Sequence, residues 1–154
     1  MKTVAAATST LTQHRVCTFY VGEQIYGLDV HAVREILKTQ ATTPVPNATA
    51  ALSGLINLRG EIVTSIDLRK RLELPPKEVD EATMSVVVSL ADEVISLIVD
   101  RVGEVVELAN VRLEPVPATV PAVIRDMALG VCRTPAGLVQ LLDASKLVMS
   151  ETDF

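Results

Sequence analysis

Few of the residue types that perform chemistry are grouped in this chain of 154 residues. Its two histidines, His14 and His31, belong to no cluster of metal ligands, and both are interpreted as solvated surface residues. The sequence contains neither a Gly-rich phosphate loop nor a recognisable pairing of a nucleophile with a base. The acidic residues at 78–81 follow two prolines and are typical of a solvated linker. We therefore expect a protein that is not an enzyme, with no catalytic site, no metal site and no cofactor.

The two cysteines, Cys17 and Cys132, both lie in apolar segments that are typical of strands. A structural disulfide between them is one interpretation. Buried free thiols in a cytoplasmic protein fit the apolar surroundings better, because structural disulfides belong mainly to oxidising compartments.

Arg59 is the strongest candidate for a binding residue. It lies at a turn between two strand-like segments, where a hairpin would project its planar guanidinium from a rigid support. Asn57 is expected to satisfy a backbone group of this turn, and Gly60 is expected to serve the backbone, for example by allowing a positive φ. An ordinary surface arginine is the alternative interpretation of Arg59.

The composition excludes one large class of binding proteins. The formal net charge is −5 and the aromatic fraction is 3%, so the chain has neither the basic stripe nor the stacking aromatics of a nucleic-acid binder. The core must be aliphatic, and its β-branched residues favour strands. No secretory signal and no apolar run of membrane-spanning length is found, so the sequence predicts a soluble, cytoplasmic protein without direct membrane insertion.

Alternating apolar residues and frequent turn residues predict short strands joined by tight turns. The predicted strands cover 15–21, 24–29, 55–58, 61–66, 84–90, 94–99, 104–108, 131–133 and 138–142. Three aspartates are predicted to cap short helices, at 31–37 after Asp29, at 68–72 after Asp67 and at 144–149 after Asp143. Gly103 is expected to break the strand pattern, 114–121 to be a loop, and 43–52 to be an extended stretch with one helical turn. Short strands with regular turns indicate small barrels rather than a parallel α/β sheet.

The chain also contains an internal repeat. The segment Gly60–Leu68 is similar to Gly137–Ala144, and the aspartates that end the strand in each segment are separated by the same interval as Gly54 and Gly130. A further pair of similar segments begins at Leu28 and Leu97, with a slightly shorter interval between them. These intervals suggest one β-rich unit used twice, with a seam between the copies that is suited to binding.

The segment 46–69 resembles the CheW family of chemotaxis coupling proteins. An Asn-Leu-Arg-Gly turn at 57–60, followed after a strand by Asp-Leu-Arg at 67–69, carries the resemblance. The similarity extends from about Val16 to Val148. It implies a mostly β fold made of two intertwined five-stranded SH3-like barrels with a few short helices.

The resemblance also implies a domain organisation. Residues 15–150 would form a single CheW-like domain of two barrel subdomains, with the boundary near 75–83 and with strands exchanged between the barrels. Residues 1–14 would form a flexible tail and 151–154 a frayed terminus. Because the chain is too short to include a kinase or a receiver domain, it is expected to be the stand-alone adaptor.

The function that the resemblance implies is non-enzymatic signal transduction. The protein would link the cytoplasmic helical hairpin of a chemoreceptor to the regulatory domain of the histidine kinase CheA, at membrane-associated receptor arrays. A CheW-like scaffold of another chemosensory pathway, such as gliding or type IV pili, is the alternative. An enzyme built on small barrels and a nucleic-acid-binding module are further alternatives, and both are disfavoured by the missing chemistry and charge.

The resemblance implies a receptor-binding site around Arg59. Glu35 is its expected ion-pair partner, because the short helix at 31–37 would pack beside the turn. An apolar groove between the barrels would complete the site, lined by Val33, Ile36 and Leu55, and core packing is the alternative interpretation of each. Gly54 is also expected at the site, with turn geometry alone as its alternative. Kinase-facing residues are not assigned, since Val102 and Val105 fit core and interface equally.

Two positions depart from the family pattern. Thr64 stands where proline is usual, which should matter little in a strand. Ser96 stands where glycine is common, and its side chain is expected to add bulk near the binding groove.

Overall fold

The structure, a computed structural model, describes residues 10–11, 14–39, 42–43, 52–90, 92–108 and 111–150. The twelve strands of the described residues are β1 (Thr10–Leu11), β2 (His14–Val21), β3 (Gln24–Asp29), β4 (Val33–Lys38), β5 (Leu52–Leu58), β6 (Glu61–Asp67), β7 (Met84–Leu90), β8 (Glu93–Val99), β9 (Arg101–Leu108), β10 (Val111–Arg112), β11 (Ala128–Thr134) and β12 (Gly137–Leu142). The three α-helices described are α1 (Leu68–Arg71), α2 (Ala122–Met127) and α3 (Ala144–Ser150). The extended stretch and helical turn expected at 43–52 and the frayed terminus at 151–154 lie largely outside the described residues.

Two of the predicted helix starts are confirmed. The Asp67 carboxylate accepts a hydrogen bond from Arg69 N at 3.0 Å, and the Asp143 carboxylate accepts one from Ser145 N at 3.0 Å. Each therefore satisfies a backbone donor that the first helical turn leaves unpaired.

The prediction of a helix at residues 31–37 is wrong. Asp29 does cap a turn, accepting from His31 N at 2.9 Å, but only a single 3-10 turn forms, Val30–Ala32. The chain then enters β4, in which half-buried and exposed residues alternate. The apolar spacing in this segment fits both periods, and antiparallel pairing of β4 with β7 decides in favour of the strand.

Two further predictions need correction, and one helix was not predicted. Gly103 does not interrupt a strand but lies inside β9, where a Cβ would collide with Thr18 Oγ1. The expected loop at 114–121 is followed by α2, which the sequence analysis did not predict. The expected N-terminal tail at 1–14 contains β1, which pairs with β10, and the first residue of β2.

The two five-stranded sheets have the same arrangement of strands. The first has the order β11-β12-β3-β2-β9, and the second has the order β5-β6-β8-β7-β4. In the first sheet, the β2–β3 hairpin of the N-terminal repeat joins β9, β11 and β12 of the C-terminal repeat, and β3 pairs in parallel with β12. In the second sheet, the β7–β8 hairpin of the C-terminal repeat joins β4, β5 and β6 of the N-terminal repeat, and β8 pairs in parallel with β6. The fold is therefore mostly β, with two intertwined SH3-like barrels, as predicted.

The internal repeat is visible in detail. The strand registers shift between Leu52 and Gly54 in β5, and between Ala128 and Gly130 in β11, so the two bulges fall at equivalent positions of the repeat. Both glycines have positive φ, 146° and 159°. A Cβ at Gly54 would collide with the backbone carbonyl of Thr43, and one at Gly130 with that of Glu114, so glycine is required at both positions.

The chain passes between the sheets at the 3-10 turn and at Asp100. By contrast, residues 74–83, near the expected subdomain boundary, connect α1 to β7 on the second sheet's side. At the second crossing, Asp100 accepts hydrogen bonds from Arg69 Nε at 3.0 and 3.2 Å, from Arg69 Nη2 at 2.9 Å and from Gly22 N at 2.8 Å. The carboxylate therefore ties the β2–β3 turn of one barrel to α1 beside the other.

The largest apolar cluster lies between the sheets and includes residues from both. It contains Phe19 and Tyr26, whose ring centroids are 6.3 Å apart. Each barrel also has a smaller cluster of its own, which includes Cys132 in the first sheet and Ile56 in the second. Cys17 and Cys132 are buried free thiols, and burial raises the pKa of both.

Candidate functional site

The turn that carries Arg59 is a two-residue hairpin. Leu58 pairs with Glu61, and the two residues between them have positive φ, 53° at Arg59 and 87° at Gly60. Positive φ at both central positions is the mirror-image turn that matches the twist of a hairpin. The Asn57 carboxamide oxygen accepts from Gly60 N at 2.8 Å, which gives Asn57 and Gly60 the local positions that the sequence indicated.

The structure brings Arg59 and Glu35 together. Arg59 Nη1 and Nη2 donate to the two carboxylate oxygens of Glu35 at 2.6 and 2.8 Å, a fork-on-fork geometry. The hydrogen bonds from Arg59 hold the pKa of Glu35 below its usual value, and the carboxylate in turn raises the pKa of Arg59. The Arg59 side chain remains 73% exposed and that of Glu35 21% exposed, so the guanidinium is oriented and still accessible.

A second ion pair lies beside the first. Arg34 Nη1 approaches Glu61 at 3.4 Å, and both partners are partly exposed. Both pairs join β4, at one edge of the second sheet, to the hairpin at its other edge. They therefore bridge the open side of the second barrel. The expected pair of Arg59 and Glu35 is present, but the expected reason for it is wrong. Glu35 lies on a strand and not on a helix packed beside the turn.

The remaining predicted site residues are not all at the surface. Ile36 is 36% exposed, whereas Val33 packs against the central core and Leu55 is half-buried. Gly54 is buried beneath Thr43, so it shapes the site only through the backbone. The accessible part of the candidate site is thus Arg59, Glu35 and Ile36.

The prediction for Ser96 is wrong. It lies in β8 with 0% exposure, between Val87 and Ser65, and its hydroxyl has no hydrogen-bond partner among the described residues. Its side chain therefore cannot meet a partner at the surface. Thr64 lies half-buried in β6, as expected of a strand residue.

Two ion pairs were missed by sequence reasoning, one beside the site and one at the second crossing between the sheets. Arg34 and Glu61 are 27 residues apart, and Arg69 and Asp100 are 31 apart, so no local spacing connects them. In the part of the chain that the structure describes, no group of three or more His, Cys, Asp or Glu side chains could hold a metal ion. No helix there is long and apolar enough to span a membrane. The geometry offers a rigid, charged contact surface.

Comparisons with known proteins agree with this architecture. The family model for the CheW-like domain matches residues 15–152. The chemotaxis protein CheW of Treponema pallidum is 31% identical over 90% of this chain and 84% of its own length. The CheW of Thermotoga maritima is 30% identical over 96% of this chain and 94% of its own length.

A solved structure shows the same fold. The scaffolding protein TtCheW from Thermoanaerobacter tengcongensis superposes with a TM-score of 0.76 and 27% identity, covering 86% of this chain and 90% of that one. The family match covers most of the chain, and the relatives are matched over most of their own lengths. The chain therefore belongs to the CheW family, whose members are non-enzymatic adaptor proteins of chemotaxis.

Proposed function

We propose that this protein couples the cytoplasmic helical hairpin of a chemoreceptor to the histidine kinase CheA, and that Arg59 is the centre of its receptor-binding site. The observation that carries the proposal is the bidentate Arg59–Glu35 pair. It holds an accessible guanidinium in one orientation at the tip of a tight hairpin. A preoriented side chain loses less conformational entropy when a partner binds.

The surroundings of Arg59 support a protein partner. Both Nη atoms of Arg59 contact Glu35, so an approaching receptor would meet the rest of the guanidinium, and Ile36, the residue after Glu35 in β4, is exposed. An accessible guanidinium together with an exposed apolar side chain is typical of a protein interface. Val33, Leu55 and Gly54 would support this surface from below.

Coupling requires no chemistry in the adaptor itself. A receptor that binds one surface and a kinase that binds another can influence each other through the adaptor, provided that each interaction differs between the signalling states. The proposal places the protein in the cytoplasm at receptor arrays. Its CheA partner would be the CheW-like regulatory domain of the kinase.

A scaffold in a pathway with another output, such as gliding or type IV pili, would use the same surfaces. The family match supports both assignments equally. Identifying the receptor and kinase genes encoded beside this one distinguishes them.

The test is co-sedimentation of the full chain with purified CheA and a receptor cytoplasmic fragment, each alone and together. Arg59→Ala should leave the unfolding midpoint unchanged, because the pair is exposed, and should weaken receptor binding about tenfold. Arg59→Lys keeps the charge but loses the fork geometry, so it should restore binding only in part. Arg133→Ala, at an exposed arginine of the other barrel, is the matched control and should bind normally.

Two results would contradict the proposal. Normal receptor binding by Arg59→Ala would remove Arg59 from the site. Failure of the unmodified protein to bind either partner would exclude coupling itself.

A further inference from the structure

The four charged residues at the open side of the second barrel do not pair with their nearest neighbours in sequence. Glu35 follows Arg34 directly on β4, and Glu61 is two residues from Arg59 across the hairpin turn. The observed ion pairs are instead Arg59 with Glu35 and Arg34 with Glu61, and both connect β4 to the hairpin. Arg59 therefore has a second carboxylate close by on its own hairpin, and that carboxylate is engaged by Arg34.

A bulge in β4 allows two successive residues to contact the same hairpin. Val33 pairs with Val88 and Glu35 pairs with Val87, so Arg34 is an extra residue with no partner position in β7. Successive side chains of a regular strand point to opposite faces of the sheet. A bulge changes the direction of side chains locally, and here Arg34 and Glu35 both contact residues of the β5–β6 hairpin.

The first barrel has an equivalent strand and hairpin without these charges. Its strand β9 also has an irregular register, between Val102 and Val105, and its β11–β12 hairpin also has a two-residue turn. By the intervals of the repeat, three of the four charged positions hold uncharged residues there, which are Gly103, Pro135 and Gly137 in place of Arg34, Arg59 and Glu61. Only the position of Glu35 keeps its carboxylate, as Glu104. The first sheet nevertheless has the same strand arrangement, so the fold does not require the two ion pairs.

The two ion pairs differ in geometry. Arg59 donates to Glu35 through both Nη atoms at 2.6 and 2.8 Å, whereas Arg34 contacts Glu61 through one Nη atom at 3.4 Å. The side chains of Arg34 and Glu61 keep 45% and 48% exposure, so their pair adds little to stability. Its remaining consequence is local, because Arg34 attracts a carboxylate that would otherwise compete for Arg59.

We propose that Arg34 is a positioning residue of the receptor-binding site, which holds Glu61 away from Arg59 so that Arg59 stays paired with Glu35. The inference rests on the proposed function, in which Arg59 meets the receptor in the orientation that Glu35 gives it. Without Arg34, Glu61 shares Arg59 with Glu35, and the guanidinium alternates between two orientations. A receptor that recognises one orientation then binds less tightly, in proportion to the fraction of molecules that keep it.

The first measurement is a double-mutant cycle of receptor binding, by titration of the full chain into a receptor cytoplasmic fragment. Arg34→Ala should weaken binding about two- to threefold. Glu61→Gln removes the competing carboxylate, so it should bind at least as tightly as wild type. The double variant Arg34→Ala/Glu61→Gln should regain wild-type binding. Arg133→Ala, at an exposed arginine of the other barrel, is the matched control for Arg34→Ala.

Three results of this cycle would overturn the proposal. The first is unchanged binding by Arg34→Ala. The second is a double variant as weak as Arg34→Ala, because Arg34 would then contact the receptor itself. The third is an equal loss in Arg34→Ala and Glu61→Gln, because the pair as a whole, and not the competition for Arg59, would then support the site.

The second measurement needs no receptor, so it tests the positioning separately from the coupling function. A guanidinium held by two hydrogen bonds rotates slowly about its Nε–Cζ bond, so the two Nη groups of Arg59 should give separate signals in NMR spectra of the free protein. These signals should broaden or merge in Arg34→Ala and separate again in the double variant. Glu35→Gln, which removes the main partner, should merge them in the otherwise unmodified chain.

The NMR result separates the two proposals. Separate, sharp Arg59 signals in Arg34→Ala would overturn the positioning role whatever the receptor does. The expected signals from a protein that binds no receptor would contradict the coupling function alone.

Discussion

Replacing Asp100 with asparagine tests whether the second crossing between the barrels is held by its ion pair. Asparagine has nearly the same size and can still accept from Gly22 N, but it loses the charge that faces Arg69. Burial alone would raise the pKa of Asp100, but hydrogen bonds from Arg69 and Gly22 N outweigh burial, and the net pKa is lowered. The ionised form is therefore favoured by folding.

The expected loss follows from the burial of the pair. Removing one partner of a fully buried ion pair costs about 3–5 kcal/mol. Here the side chains of Arg69 and Asp100 keep 16% and 17% exposure, and the Pro75 carbonyl, which accepts from Arg69 Nη1, would remain. We therefore expect Asp100→Asn to lower the free energy of unfolding by about 2–3 kcal/mol. For a chain of this length, that corresponds to a fall of roughly 4–12 °C in Tm.

The assay is urea and thermal unfolding of both proteins across a range of pH. A carboxyl whose pKa is lowered by folding stabilises the protein above its unfolded-state pKa of about 4. That contribution is lost as the pH falls through the lowered folded-state pKa. The difference between wild type and Asp100→Asn should therefore be constant near neutral pH and shrink in acid.

Asp80→Asn is the matched control. Asp80 pairs with Lys77 at the surface, and the hydrogen bond from Lys77 contributes most to lowering its pKa to about 2. Its neutralisation should change stability little because the pair is exposed to solvent. Equal midpoints for wild type and Asp100→Asn at every pH would refute the argument that this ion pair holds the crossing.

Three further substitutions test the close packing of the fold by urea unfolding. Gly54→Ala should cost about 3 kcal/mol, because a Cβ there meets the Thr43 carbonyl and the backbone has φ 146°. Gly60→Ala, whose Cβ meets nothing within 4 Å, should cost only about 1 kcal/mol of φ strain, and equal losses at the two sites would contradict this reasoning. Tyr26→Phe should raise stability by about 1 kcal/mol, since the buried hydroxyl has no hydrogen-bond partner among the described residues and burial raises its pKa to about 12. A clear loss of stability in Tyr26→Phe would show that the hydroxyl is satisfied after all.

Features that depend on neighbouring residues could be predicted from the sequence. The caps at Asp67 and Asp143 and the turn at Arg59 and Gly60 each follow from side chains within a few positions. The repeat intervals likewise predicted the duplicated fold. The Arg59–Glu35 pair was reached through family resemblance, because the two residues are 24 positions apart.

Features that depend on distant strands could not be predicted in this way. The segment from Val33 has apolar spacing that suits a helix, and only its pairing with β7 makes it a strand. Gly103 looks like an interruption in the sequence, but it allows β9 to pass close to Thr18 on β2. The burial of Ser96 likewise depends on neighbouring strands on both sides.

The exchange of strands between the barrels has a consequence for how the protein can come apart. Cleavage within residues 74–83 would separate the two sequence repeats, yet β4 would then lose β7, its one sheet neighbour among the described residues, and β9 would lose β2. Neither fragment would contain a whole barrel. The severed halves should therefore be unstructured in isolation and regain their shape only by recombining, which would make this link a natural place to split the protein into complementing pieces.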